Sequence, residues 1–432
     1  MTGQGLALPG EFSLLPDGRV MTPGGYTIDA DTARQFSASV PVNTRRARES
    51  RTGLYVQWCR ERALIPGDPG TVPDYCAHLA RQGHPAATID SYASALGNFL
   101  AVNNRPLTDL DRQLIRGIVN GRSAQDASDP DGAGDALQST ACTRQDLRAM
   151  VATLDRTTVV GKRDAAALIL DWYVAGRSSE PGGLGVNDLV ETVAHTAGAD
   201  GAPVALAALE VTFRKSKTNA YGRTSETIRL VEQTEDDADI CPVRAYRAWM
   251  QVLRDRDLHR AGPFLRGIHA SGKIAGTPGR RGGTTVGRST TDPGRAGGYG
   301  GRSIRNLIRR CASAADLVPA LEPEQVVLLS TTAEAAELAK ASTETEREAI
   351  RADRRTRRRA LRRTLVRITG HSMRRGLIQH LDALGAERHV IERHARFAPG
   401  SKALARYRVG LLPWNQNPTM LMRRRIHADR PG

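Results

Sequence analysis

Lysine is scarce in this chain: it occurs only at positions 162, 215, 217, 273, 340 and 402 of 432 residues, so nearly all the positive charge is arginine. Any lysine in a suggestive place therefore stands out. The five cysteines, Cys59, Cys76, Cys142, Cys241 and Cys311, are far apart and form no CxxC pair. That spacing argues against a zinc site and against a disulfide framework. No apolar run approaches the ~18 residues of a membrane span, and no signal-peptide pattern opens the sequence. The expectation is a protein of the reducing cytoplasm with no membrane partner and no metal.

What is present in excess is basic charge. Lys plus Arg number 62 against 46 for Asp plus Glu, a formal charge of +16. Such a balance calls for a polyanionic partner. Nucleic acid is the first candidate, because each neutralised phosphate releases counterions. Ribosomal and membrane-surface proteins share the balance, so charge alone does not choose. The length exceeds one ordinary domain, and the 40% apolar content is enough for packed cores.

Residues 1–42, rich in Gly, Pro and Thr, read as an extension. Helical patterns follow in "NTRRARESRTGLYVQWCRERAL", "TVPDYCAHLARQG", "AATIDSYASALGNFLAVNN" and "TDLDRQLIRGIVNGR", making an all-helical unit over 43–122. Residues 123–140 have the composition of a flexible linker. A larger region spans 141–418. In it "TRQDLRAMVATL", "RDAAALILDWYVAG", "CPVRAYRAWMQVLRD" and "GRSIRNLIRRCASAADL" read as helices. "VALAALEVTFRKSKTNAYGRTSETIRLVE" reads as two strands around a polar turn. The predicted class is mostly α with a small β-sheet, an α+β second domain behind a helical first one. Residues 332–367 look like one or two exposed helices, either a solvated charged face or a DNA-backbone contact. Residues 419–432 form a basic tail.

Four places carry candidate chemistry. In "GHSMRRGLIQH", Met373, Leu377, Ile378, Leu381 and Leu384 fall in one arc roughly 140° wide, at about 100° per residue. Arg374 falls inside that arc and Arg375 outside it. A guanidinium aimed at an apolar layer needs a partner. That partner is either a structural carboxylate or an anion gripped by parallel hydrogen bonds. His371 lies at the expected helix N-terminus, which also favours an anion. Arg177 follows an apolar helix, with Glu180 three residues on, close enough to orient it. Its ordinary reading is a helix-end arginine meeting carbonyls. Lys217 sits at the predicted hairpin mouth, and Lys215 shares a strand face with Val211 and Phe213. Tyr407 lies in "APGSKALARYRV", predicted on a short helix capped at Ser401, ten residues after Phe397.

Taken together, Arg177, Lys217, His371, Arg374 and Tyr407 stand in the order and rough spacing of the tyrosine recombinase (phage integrase) family, which the chain resembles over about residues 43–418. The specific part is His371-x-x-Arg374, with Phe397 23 residues later and then Tyr407. The helical unit resembles that family's core-binding domain, and 141–418 its catalytic domain, with insertions at about 276–300 and 320–367. Two departures are evident. The family has His or Trp where this chain has Phe397, and "EPGGL" after Arg177 interrupts a regular helix.

The resemblance implies DNA cleavage and rejoining through a 3′-phosphotyrosyl link, with no cofactor, metal or ATP. Tyr407 would be the nucleophile. Arg177 and Arg374 would stabilise the non-bridging oxygens. Lys217 would protonate the leaving 5′-oxygen and His371 would assist proton transfer. Phe397 and Glu180 would support the site. Arg45, Arg46, Arg302, Arg309 and Arg375 would contact DNA. The implied partners are double-stranded DNA at attachment sites, three further copies in a homo-tetramer, and an accessory DNA-bending or directionality factor, all in the cytoplasm and nucleoid. Two alternatives remain: a DNA-binding protein that kept the fold and lost the chemistry, or a telomere resolvase or type IB topoisomerase-like enzyme.

Overall fold

The structure is a computed structural model that describes residues 13–22, 25–128, 137–197, 202–214, 224–276 and 297–407. In chain order, three short strands come first, β1 (Ser13–Leu14), β2 (Val20–Met21) and β3 (Thr27–Ile28). Helices α1 (Ala30–Ser39), α2 (Val42–Glu61), α3 (Thr71–Arg81), α4 (Ala86–Val102) and α5 (Asp109–Ser128) follow. Then come α6 (Arg144–Ala152), α7 (Val159–Tyr173), strands β4 (Leu189–Ala197), β5 (Pro203–Phe213) and β6 (Glu226–Val231), and α8 (Pro242–Arg254). The remainder is helical: α9 (Gly301–Ala314), α10 (Pro323–Leu329), α11 (Thr331–Lys340), α12 (Glu344–Thr364), α13 (Gly370–Ala383), α14 (Arg388–His394) and α15 (Lys402–Ala405). Among the described residues no helix is long and apolar enough to cross a membrane. All five cysteines are buried and unpaired.

Packing divides the chain into two compact units, Met1–Gln138 with Ala320–Leu365, and Ser139–Pro319 with Val366–Gly432. In the first, Tyr55, Trp58, Tyr75, Leu79, Leu96 and Phe99 fill a core among α2–α5. The aromatic rings of Tyr55, Trp58 and Tyr75 meet at 5.2–6.4 Å. Three sequence expectations need correction here. The extension carries β1–β3 and α1. Helix α5 runs on to Ser128, into the predicted linker. Residues 320–365, read as an insertion in the second region, pack with the first unit. There Arg354, almost wholly buried, donates to the carbonyls of Val327, Leu328 and Ser330 at 2.8, 3.0 and 3.3 Å. These are the orphan carbonyls at the end of α10, which a cation satisfies well.

The second unit is built around α7. Its residues Ala165–Leu170 are buried on every side, which explains an apolar run without helical periodicity. Helices α6, α8, α9 and α13 pack around it. The antiparallel sheet has order β4-β5-β6, with Leu189 opposite Val211 and Val211 opposite Ile228. Sequence reading anticipated β5 and β6 and missed β4, whose residues after Leu189 lie largely exposed and show little apolar alternation.

α13 reaches α7 through a close approach at Gly376. A Cβ there would lie 1.6 Å from the Cys142 carbonyl oxygen, which also accepts from Trp172 Nε1 at 2.9 Å. Gly376→Ala is expected to cost about 1–3 kcal/mol by overpacking. A thermal melt checks this, and an unchanged Tm would contradict the packing described.

Candidate active site

α13 begins at a fixed register. Thr369 Oγ1 accepts from His371 N at 3.2 Å, and Ser372 Oγ accepts from Thr369 N at 2.8 Å. Such reciprocal capping satisfies the first free N–H groups of a helix. One turn further on, Arg374 points inward as the arc predicts, and is 0% exposed. Met373, Leu377 and Ile378 are buried beside it. Leu384 is a correction: it is the residue after the helix end and is 70% exposed.

Arg374 meets the end of α7. Its Nη1 donates to the Ala175 carbonyl at 2.7 Å. Ala175 has φ 45°, a left-handed position that turns the chain out of the helix. The neighbouring carbonyls are also taken. Arg396 Nη1 donates to Val174 O at 2.8 Å, and His394 Nε2 lies 2.8 Å from Tyr173 O. Three cationic or basic side chains from beyond α13's start thus close the C-terminus of α7. A helix-end arginine is the ordinary alternative for Arg177; it is Arg374 and Arg396 that meet those carbonyls.

Arg177 instead engages Glu180, Nη1 to Oε1 at 2.6 Å, while Glu180 Oε2 accepts from the Arg177 amide at 2.9 Å. The same Oε2 accepts from Arg396 Nη2 at 2.7 Å. Burial opposes ionisation of Glu180, but Arg396 and both groups of Arg177 outweigh it and hold its pKa below the usual value. The turn "PGG" after Glu180 forms a single 3₁₀ turn, Pro181–Gly183, in place of a regular helix.

Asp171 completes the cluster. It is 0% exposed, and neither carboxylate oxygen has a hydrogen-bond partner. Burial, reinforced by the charge of Glu180, pushes its pKa well above the usual range despite Arg396 and Arg374. The buried cluster therefore holds three guanidiniums, Arg177, Arg374 and Arg396, beside two carboxyls: Glu180, which the arginines keep ionised, and Asp171, which burial pushes toward its protonated form. Burial and then the charge of Arg177 lower the Arg374 pKa to about 10, so it stays protonated at neutral pH. Its Nε and Nη2 have no hydrogen-bond partner. Buried donors without acceptors are costly, and positive groups outnumber the carboxyls in the cluster.

Two rings cover this guanidinium. Phe397 lies 4.3 Å from it by ring centroid and Tyr407 5.6 Å. The rings meet edge-on at 5.4 Å and 65°. α15 is capped by Ser401, whose Oγ accepts from Ala403 N at 3.2 Å. Tyr407 is not on that helix, as predicted from sequence, but in the turn after it. Its carbonyl accepts from Gln379 Nε2 of α13 at 3.2 Å.

No family model and no curated protein matches the chain. The fold nevertheless brings Arg177, Glu180, Arg374, Phe397 and Tyr407 into one cluster. His371 is exposed in the first turn of α13. Lys215 and Lys217 lie outside the described residues. Arg302 and Arg309 are exposed one above the other on α9, and Arg375 is half-buried beside the cluster, its pKa lowered by burial. Arg45 and Arg46 lie in the first turns of α2, in the other unit. Sequence reading missed Arg396 and Asp171. For Asp171 a signal existed, a single carboxylate inside the apolar run "AAALILDWYVAG".

The state of Asp171 yields a test. The folded chain keeps a proton that the unfolded chain releases near the ordinary carboxyl pKa. Stability from this group therefore falls as pH rises above that value, by at most about 1.4 kcal/mol per pH unit. Asp171→Asn is expected to remove that slope, so its melting temperature relative to the parent should rise as pH increases above about 4, the ordinary carboxyl pKa, toward the raised folded value. Parallel melting curves would refute a raised pKa.

Proposed function

We propose that the chain is a site-specific DNA recombinase that cuts and rejoins DNA through a 3′-phosphotyrosyl intermediate. The observation that carries the reading is Arg374: a fully buried, protonated guanidinium with two unpartnered N–H donors, next to Arg177 and beneath the ring of Tyr407. A phosphodiester supplies the acceptors and the negative charge that this cluster lacks. A net charge of +16 supports a polyanionic substrate, and duplex DNA is one.

In this mechanism the Tyr407 oxygen attacks the phosphorus and loses its proton, with His371 assisting. The bond to the 5′-oxygen breaks, and Lys217 protonates that oxygen. Arg374 and Arg177 hold the non-bridging oxygens as charge builds on them. Glu180 and Arg396 are positioning residues: Glu180 fixes Arg177, and Arg396 anchors Glu180. The phosphotyrosyl bond conserves the energy of the phosphodiester, so the reverse attack by a 5′-hydroxyl rejoins the strand. Arg302 and Arg309, on the exposed face of α9, would track the backbone. Strand exchange between two duplexes would require a homo-tetramer, with an accessory DNA-bending or directionality factor setting the outcome.

One observation favours the second reading, a DNA-binding protein without the chemistry. Phe397 packs on Arg374 but offers no hydrogen bond at the position where the resembling family has His or Trp. A nicked suicide substrate carrying candidate attachment DNA separates the two. A protein–DNA adduct on a denaturing gel supports cleavage, and binding without an adduct supports the second reading.

Because guanidiniums supply the charge neutralisation, cleavage is expected to proceed at the same rate in excess EDTA. Loss of the adduct in EDTA, and its return with magnesium, would show that a bound cation does this work.

A further inference from the structure

The first unit contains a cavity of about 770 Å³ between α12, the start of α4 and the end of α5. One wall is a single face of α12, on which Arg351, Arg355, Arg358, Arg359 and Arg362 follow one another at helical spacing. The acids in the lining are Asp126 and Glu334. Arg358 pairs with Glu334, and Arg359 lies 3.8 Å from Asp126. Arg351 pairs with Glu344 at 2.8 Å, outside the cavity. Arg355 and Arg362 form no ion pair among the described residues. Arg355 is held instead by a hydrogen bond to the Gln82 carbonyl, and burial lowers its pKa.

The lining also includes Pro85, Ala86, Ala87 and Thr88, the N-cap and first turn of the 17-residue helix α4. No side chain caps that end. Thr88 N donates to the Pro85 carbonyl at 2.9 Å, and the amides of Ala86 and Ala87 before it carry the positive end of the helix dipole. Arginines and an uncapped helix N-terminus therefore line one open volume, with Thr88 and Ser123 supplying hydroxyls. None of these residues belongs to the unit that holds Arg374.

We propose that this cavity binds a compact ligand carrying consecutive phosphates, a nucleoside triphosphate or inorganic triphosphate. Several phosphates in a row are needed to engage the row of α12 arginines and the backbone N–H groups of the α4 N-terminus at once. The volume lies within the ~300–1,000 Å³ range of small-molecule sites. Duplex DNA, a convex cylinder, presents its phosphates to surfaces and does not enter such a concavity. The proposal is independent of the recombinase reading, because it concerns the other unit and its test requires no DNA cleavage.

Isothermal titration of the full chain with ATP, with inorganic triphosphate and with a short duplex, all at one fixed salt concentration, tests it. One equivalent of ATP or triphosphate is expected to bind. Arg362→Glu and Arg355→Gln are each expected to weaken that binding about tenfold or more, since each removes a charge-assisted hydrogen-bond donor. Arg116→Glu, at an exposed position on α5 outside the cavity, is the charge-matched control and is expected to leave binding unchanged. Melting curves establish that the variants fold, and the exposed Arg362 serves if Arg355→Gln does not. Tighter binding of ATP than of triphosphate assigns the ligand to nucleotides, and equal binding to the phosphate chain alone. The proposal is overturned if neither compound binds, or if Arg116→Glu weakens binding as much as Arg362→Glu. It is also overturned if only the duplex binds in an Arg362-dependent way, which would make these arginines a DNA-backbone contact.

Discussion

A Tyr407→Phe chain is expected to form no covalent adduct with a nicked suicide substrate, while retaining duplex DNA as well as the parent does. The substitution removes one oxygen and keeps the ring that packs edge-on against Phe397 and over Arg374. Packing and surface charge are therefore conserved, and only the attacking atom is lost. Removing the nucleophile of an enzyme lowers its rate by about 10⁴-fold or more. Gel retardation reads binding and a denaturing gel reads the adduct, so the two effects separate in one preparation. An adduct that survives the substitution would move the nucleophile to another tyrosine. The spacing that singled out Tyr407 would then carry no weight.

The second large effect divides the roles of Arg374 and Lys217. Arg374→Ala is expected to slow single-turnover cleavage by about 10²–10³-fold, the usual cost of losing one preorganised donor to developing charge. Lys217→Ala should slow it by about 10²–10⁴-fold, because a 5′-alkoxide leaves poorly without a proton. A substrate with sulfur at the 5′-bridging position has a better leaving group and needs little protonation. On it, Lys217→Ala should cleave nearly as fast as the parent, whereas Arg374→Ala should stay slow, since its donors act on the non-bridging oxygens. If sulfur rescues neither variant, or both equally, Lys217 is not the acid. Lys215, two residues earlier, becomes the candidate. Because Arg374 also closes the end of α7 through Ala175, its variant needs a melting curve beside the kinetics.

The inward aim of Arg374 was legible because a helix converts sequence position into direction, and the residue fell within the apolar arc of α13. The same logic failed at Leu384, where the helix had already ended. Arg396 left no such mark. It follows α14 at φ 57°, where no periodicity applies, and its partners Val174 and Glu180 are more than 200 positions away. Asp171 was readable as an oddity, but its meaning required knowing that Arg374, Arg396 and Glu180 surround it. The strand β4 was hidden by its exposure, since few of its side chains needed to be apolar. For residues 320–365, composition gave one or two exposed helices from residue 332, where α11 and α12 lie, and did not mark α10. It could not give their packing partner, because the bonds of Arg355 to the Gln82 carbonyl and of Arg62 to Glu348 join positions far apart in the sequence.

That packing has a consequence for how the molecule is made. The chain passes between its two units three times, near residues 138, 319 and 365. The first unit is therefore not finished when its first 138 residues leave the ribosome. It waits for Ala320–Leu365, by which time most of the second unit has been synthesised. The usual N-terminal-first order of domain folding does not hold here. A fragment ending at residue 138 would display, as bare surface, the ground on which α12 normally lies. A single protease cut in the segment after α5 would leave the units joined by two remaining connections, so the nicked molecule would still sediment as one particle.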